Sequence, residues 1–163
     1  MNRLIFVCMG NICRSPLAEA VARAQLVQHG LDSVFTVVSR GTHAYHLDLP
    51  ADPRAQALAE QHGLALAAHR SRLLQPDDFQ RGDLLLVMDR QNLRDVRAKA
   101  PPHAVGRIRL LMDFVSSPGA DIPDPYYGEA ADFERALGLI EQGVLGLTKH
   151  LLRLHNAGAL HLE

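Results

Sequence analysis

Leu4-Ile5-Phe6-Val7-Cys8-Met9-Gly10-Asn11-Ile12-Cys13-Arg14-Ser15-Pro16-Leu17-Ala18-Glu19-Ala20 decides the fold. Leu4 to Val7 is a short apolar run and reads as a buried strand. The segment from Pro16 to about Gln28 reads as a helix, with Ser15 as N-cap and Pro16 at the first helical position. The order is therefore strand, tight loop, helix N-terminus. Such a turn aims successive backbone N–H groups at one point, with the positive end of a helix dipole behind them. Cys8 opens the loop and Arg14 closes it, with the spacing C-x5-R-S. A free thiol, with a pKa of about 8.5, is a poor nucleophile at neutral pH, but loop amides, a helix N-terminus and a nearby Arg all favour the thiolate. The same donors suit a phosphate dianion, because Arg offers two oxygens a planar fork. Gly10 lets the backbone approach a ligand closely. Asn11 tolerates the left-handed conformation that a nest-like loop needs. The reading is a phosphate-binding loop that carries its own nucleophile, Cys8. The competing reading is a structural cysteine with an arginine six residues on by chance. The strand before, the Ser-Pro start after and the Gly-Asn within argue against it.

Bulk properties narrow the setting. At 163 residues the chain is long enough for one domain, 1–163, with a proper core. A net charge of −1 points to neither nucleic acid nor membrane as a partner. No apolar run reaches a membrane span, and Leu4 to Val7 is too short for a signal-peptide core. The cytoplasm is the expected compartment. Two cysteines, both in one loop, make no disulfide framework.

Further along, Val34 to Ser39 is β-branched and apolar and reads as a second strand, after a helix stop at His29-Gly30. His43 to Pro53 reads as a loop. Asp52-Pro53 opens a helix over Arg54 to about His62. Leu64 to Leu74 reads as irregular, and Gln75 to Phe79 as a helical turn. Asp83 to Asp89 is an apolar run between charges, hence a buried central strand. A helix over Arg90 to about Ala100 stops at Pro101-Pro102. Arg107 to Met112 reads as a fourth strand at an edge, Ser116 to Gly128 as a long loop. A final helix runs from near Glu129 past Arg153 with Phe133, Leu137, Ile140, Val144, Leu147 and Leu151 on one face. Strand–helix alternation of this kind implies right-handed crossovers. It predicts a three-layer α/β fold, a four-stranded parallel sheet with helices on both faces. Ligands in such folds sit at the carboxyl ends of the strands, where the Cys8 loop lies.

Transfer of a phosphoryl group to Cys8 leaves an alkoxide or phenoxide, which a general acid would help on its way. The candidate lies in Ile122-Pro123-Asp124-Pro125-Tyr126-Tyr127-Gly128. Asp124 is held between two prolines that stiffen the loop. The two tyrosines could wall an apolar slot for an aromatic substrate. On its own the Asp-Pro would be turn chemistry. With the Cys8 loop it is the leading acid.

VCMGNICRSPLAEA near the N-terminus and DPYYG near the C-terminus together resemble the low-molecular-weight protein tyrosine phosphatases, in their bacterial form. The resemblance covers nearly the whole chain, including Ser39 and the segment Met88-Asp89-Arg90-Gln91-Asn92-Leu93-Arg94-Asp95. It implies that Cys8 attacks phosphorus to form a phosphocysteine and that Arg14 binds two phosphate oxygens. It implies that Asp124 protonates the leaving phenolate and then activates water. Met9, Gly10, Asn11, Ile12, Cys13 and Ser15 would line the substrate loop, with Tyr45 and Tyr126 as pocket walls. Asn11, Ser15, Ser39 and His69 would form a network shaping that loop, with the Ser15 hydroxyl beside the thiolate. The partner implied is a phosphotyrosine protein, a bacterial tyrosine kinase being one candidate. Inorganic phosphate and other oxyanions would inhibit.

Four rival readings stand beside this one. Arsenate reductases share the loop but need further cysteines downstream, and none follows Cys13. Phosphoarginine phosphatases carry Thr at the position of Ile12. An apolar Ile12 favours a phenyl ring, so protein-arginine phosphatase activity is the runner-up. In another class, the chain could be a phosphate binder without turnover or a thiol redox sensor. The resemblance makes Cys13 a disulfide partner for Cys8 that would protect it from over-oxidation. His43, His46 and Asp48 have no zinc-site spacing, and Arg14 with the loop amides supplies the positive charge. No metal and no cofactor are expected.

Overall fold

The computed structural model describes residues 2–116 and 119–160. Strand β1 (Asn2–Cys8) leads through the loop into α1 (Arg14–Gln28). β2 (Phe35–Gly41) and α2 (Pro53–Gln61) follow, then β3 (Asp83–Val87), α3 (Arg90–Lys99), β4 (Ile108–Leu110) and α4 (Ala130–Asn156). The four strands form one parallel sheet in the order β2-β1-β3-β4.

Period-two side chains explain the two central apolar runs. From β1, Leu4, Phe6 and Cys8 enter a core shared with α1, α2 and α4. Ile5 and Val7 enter the opposite core, with Leu74, Phe79, Val96 and Ala104. β3 divides in the same way: Leu84 and Leu86 go to the first side, Leu85 and Val87 to the second. Helices therefore cover both faces, and the predicted three-layer arrangement is the observed one. The spacing of Phe133, Leu137, Ile140, Val144, Leu147 and Leu151 buries one face of α4, much of it against α1.

Turn chemistry sets most boundaries as expected. Asp52 caps α2 by accepting the Arg54 N–H at 2.8 Å, and Asp89 caps α3 by accepting the Asn92 N–H at 2.7 Å. Gly30 and Gly63 follow α1 and α2 with positive φ.

Two boundaries differ. Helix α1 begins at Arg14, so Cys13 occupies the N-cap position with no side-chain cap, and Ser15 lies inside the first turn. Ser15 does not cap because its hydroxyl is committed to Cys8 and Asn11. Pro16 is still tolerated, since first-turn N–H groups have no intrahelical partner to lose. β4 keeps its edge position but only three residues, because Leu111–Phe114 winds into a 3-10 turn. Ser117 and Pro118, in the loop expected over Ser116 to Gly128, lie outside the described residues. No helix among the described residues is long and apolar enough to cross a membrane.

Candidate active site

The loop between β1 and α1 is built by turning its carbonyls away from its centre. The Cys8 and Met9 carbonyls accept the Thr42 and His43 N–H groups, each at 3.0 Å, and the Ile12 carbonyl accepts the Asp52 N–H at 2.8 Å. The Asn11 carbonyl takes His69 Nε2 at 2.7 Å. A carbonyl only accepts, so Nε2 is the protonated nitrogen of that ring. Among the described residues, the N–H groups of Met9 to Cys13 donate to no protein acceptor. That leaves a nest of amide donors at a helix N-terminus, ready for an anion.

Asn11 fixes the loop's shape. It sits at φ 56°, in the left-handed region, and is fully buried. Its Oδ1 accepts the Arg72 N–H at 2.8 Å, so its Nδ2 must be the end that faces the two serines. Nδ2 donates to Ser15 Oγ at 2.8 Å and to Ser39 Oγ at 3.0 Å. Both hydroxyls must then send their own protons elsewhere. Ser39 donates to Glu19 Oε2 at 2.6 Å. Ser15 Oγ lies 3.0 Å from Cys8 Sγ and 3.4 Å from the Arg40 carbonyl, so the sulfur is its nearer acceptor. The proton order ends on a hydroxyl aimed at Cys8. Gly41 makes room for this packing: a Cβ there would lie 2.9 Å from the Met9 carbonyl oxygen.

Arg14 is 2% exposed, and its Nη1 donates to Asp89 Oδ2 at 2.6 Å and to the Ile122 carbonyl at 2.8 Å. Its Nη2 lies 3.5 Å from Asp124 Oδ2. Burial opposes the guanidinium charge, but Cys8, Asp89 and Asp124 together outweigh it and hold Arg14 above its ordinary range. Asp124 Oδ1 accepts the Tyr126 N–H at 3.1 Å, which orients the carboxyl group from its own loop. For Cys13, burial first and then the negative charges of Asp52, Cys8 and Asp124 push the thiol up. Cys13 is therefore a protonated thiol at neutral pH, and Cys8 is the cysteine with which the Arg14 guanidinium interacts.

A cavity of about 120 Å³ opens over these groups. Cys8, Met9, Gly10, Ile12, Cys13 and Arg14 line it from the loop, and Tyr45, His46, Asp124, Tyr126 and Tyr127 line it from two other segments. Of the residues expected from sequence, Asn11, Ser15, Ser39 and His69 stand behind the loop as its support and do not line the cavity. Tyr45 stacks on His43 with ring centroids 5.1 Å apart, and Tyr126 meets His46 at 5.7 Å.

Three residues of the site escaped sequence reasoning. Asp89 holds Arg14, and the signal was there: an acid at the carboxyl end of a parallel strand, just before a helix. Glu19 takes the Ser39 proton and lies four residues after Ser15, one helical turn along. His46 forms a wall beside Tyr45, and nothing in its sequence context marked it. No group of three or more His, Cys, Asp or Glu among the described residues could hold a metal ion.

With this geometry in hand, the chain can be set beside known proteins. The sequence model described as low molecular weight phosphotyrosine protein phosphatase matches residues 3–156. A Streptomyces coelicolor protein named low molecular weight protein-tyrosine-phosphatase is 41% identical over 149 residues, covering 89% of this chain and 90% of that one. A crystal structure of a protein tyrosine phosphatase from Entamoeba histolytica superposes with a TM-score of 0.88 at 31% identity, covering 97% of this chain and 99% of that one. Wzb from Vibrio vulnificus, in complex with benzylphosphonate, superposes with a TM-score of 0.80 at 31% identity, covering 91% of this chain and 98% of that one.

Proposed function

Because the chain belongs to the low molecular weight phosphotyrosine protein phosphatase family, we propose that Cys8, Arg14 and Asp124 divide the hydrolysis of phosphotyrosine between them in two steps. In the first, Cys8 Sγ attacks phosphorus and the bond to the phenolic oxygen breaks. The protonated carboxyl of Asp124 gives its proton to the departing phenolate. In the second, the Asp124 carboxylate takes a proton from water, the hydroxide attacks phosphorus, and the S–P bond breaks to return the thiolate and release phosphate. Arg14 and the loop amides hold the equatorial oxygens throughout. The observation that carries this reading is the convergence on one cavity of Cys8 and Arg14, at the two ends of one loop, with Asp124, more than a hundred positions further along the chain.

The whole of 1–163 serves as one catalytic domain on this reading. Ile12 and Tyr126 in the cavity wall suit a phenyl ring better than a guanidinium, which places phosphotyrosine ahead of phosphoarginine. We infer a phosphotyrosine protein as substrate, with a bacterial tyrosine kinase the candidate, and competition by phosphate and other oxyanions. Two free cysteines suit a reducing compartment such as the cytoplasm. Cys13 borders the same cavity as Cys8, which supports a second role: a reversible disulfide that shields Cys8 from over-oxidation.

A panel of phosphotyrosine, phosphoarginine and phosphoserine peptides on the native chain, Cys8→Ser and Asp124→Asn tests the assignment. Cys8→Ser should lose all turnover and keep phosphate binding. Asp124→Asn should slow substrates with poor leaving groups by roughly 10²–10⁴-fold. Preference for phosphoserine, or residual turnover by Cys8→Ser, would refute it.

A further inference from the structure

We propose that Arg54 is a positioning residue that suspends the general acid over the phosphate loop. The inference rests on Asp124 being that acid. Arg54 lies in the first turn of α2, outside the cavity wall, yet it ties together both halves of the site. On one side it grips Asp52 through Nε to Oδ1 at 3.0 Å and Nη2 to Oδ2 at 2.8 Å. Asp52 in turn donates its N–H to the Ile12 carbonyl of the phosphate loop. On the other side Nη2 donates to the Tyr126 carbonyl at 2.9 Å and Nη1 to the Gly128 carbonyl at 3.3 Å. The Tyr126 N–H then donates to Asp124 Oδ1. The path from phosphate loop to acid thus runs Ile12, Asp52, Arg54, Tyr126, Asp124.

The acid segment needs such a strut because residues 120–128 contain no helix or strand. Before Asp124 the segment is held by the Ile122 N–H to the Met88 carbonyl and by Arg14 to the Ile122 carbonyl. Beyond Asp124, Arg54 supplies the side-chain hydrogen bonds that tie it to another segment, among the described residues, and the fixed fork reaches a carboxylate and two carbonyls at once. The guanidinium also lies 4.5 Å from the Phe133 ring centroid and 5.8 Å from that of Tyr126, so its plane is set by α4 as well as by hydrogen bonds. Lysine keeps the charge but not the fork.

The test compares Arg54→Met, Arg54→Lys, Asp124→Asn and the double variant Arg54→Met/Asp124→Asn on phenyl phosphate and 4-nitrophenyl phosphate, with inorganic phosphate as competitor. Misplacing the acid should cost Arg54→Met roughly tenfold in kcat on phenyl phosphate. The cost on 4-nitrophenyl phosphate, which needs the acid least, should be clearly smaller. Inhibition by phosphate should hold within about twofold, and Arg54→Lys should fall between Arg54→Met and the native chain. In the Asp124→Asn background Arg54→Met should cost nothing further. Equal losses on both substrates, or a loss undiminished in that background, would overturn the proposal. If Asp124→Asn alone fails to discriminate between the substrates, the acid assignment fails, and this inference with it. If Arg54→Met does not fold, Arg54→Lys keeps a cation beside Asp52 and carries the same comparison.

Discussion

Replacing Asn11 by glycine and by alanine separates the two jobs of this residue, shaping the backbone and ordering the protons. Both variants lose three side-chain hydrogen bonds, to Ser15, Ser39 and Arg72. At about 1 kcal/mol net each, that is about 3 kcal/mol. Glycine accepts the φ of 56° without cost. Alanine adds about 1–2 kcal/mol for a left-handed conformation, giving about 4–5 kcal/mol in all. For a domain of this size each kcal/mol lowers Tm by about 2–4 °C. Asn11→Gly should therefore melt roughly 6–12 °C below the native chain, and Asn11→Ala roughly 8–20 °C below. The order is diagnostic, because in a helix or strand alanine is the more stable of the two. Activity reports the second job. Without Nδ2 to hold it, the Ser15 hydroxyl is free to turn from Cys8 toward the Arg40 carbonyl. A hydrogen bond to a charged group is worth about 1.5–3 kcal/mol, so turnover should fall roughly ten- to hundredfold. Urea or thermal melts and 4-nitrophenyl phosphate turnover, measured well below each Tm, supply both numbers. An alanine variant as stable as the glycine one would refute the backbone argument. Native turnover in both variants would refute the proton order.

Other outcomes follow from the same geometry. Arg14→Lys keeps the charge but loses the fork that serves Asp89 and Ile122 and, on the proposed mechanism, phosphate; kcat should fall roughly 10²–10³-fold, whereas a rise in KM alone in steady-state kinetics would reduce Arg14 to a binding role. His150 has its pKa lowered by burial, with Arg153 and Arg109 adding repulsion. The folded chain therefore binds fewer protons there than the unfolded one, whose imidazole titrates near 6.5. That contribution to stability is present above about pH 6.5 and is lost as pH falls through the lower folded pKa. His150→Gln should flatten this part of the stability–pH curve in urea melts between pH 7.5 and 5, by roughly the proton linkage of one group, and an unchanged slope would count against the assignment.

The parts of the molecule legible in sequence are those where one local force dominates. The β3 run between Asp83 and Asp89 could only be a strand covered on both faces, and Asp52-Pro53 could only open a helix. That Cys8, Arg14 and Asp124 share one cavity was foreseeable because such side chains are rare in combination. Ser15 reads as a cap and is not one, because capping depends on where the hydroxyl finds its best partner, and that partner, Asn11, adopts its left-handed shape only in the folded loop. β4 stopped short because its Leu111 and Met112, apolar enough for a strand, are buried instead in a 3-10 turn. Asp89 and Arg54 stayed hidden for a different reason. Their partners lie 75 and 72 positions away, at Arg14 and Tyr126; the strand-end position marks Asp89 as a site residue without naming its partner, and nothing local marks Arg54.

The outward-facing carbonyls of the phosphate loop have a consequence for how this protein fails. Each is pinned by a group on a neighbouring segment: Thr42, His43, Asp52 and His69. Release of any one frees a carbonyl to rotate inward, where its negative end opposes the phosphate that the amides attract. The segments that supply these pins are loops, which open at lower free energy than the central strands. Function is thus less robust than fold. Mild denaturant should silence the enzyme while sheet and helices still stand, and bound phosphate, by favouring the amide-inward state, should close that gap.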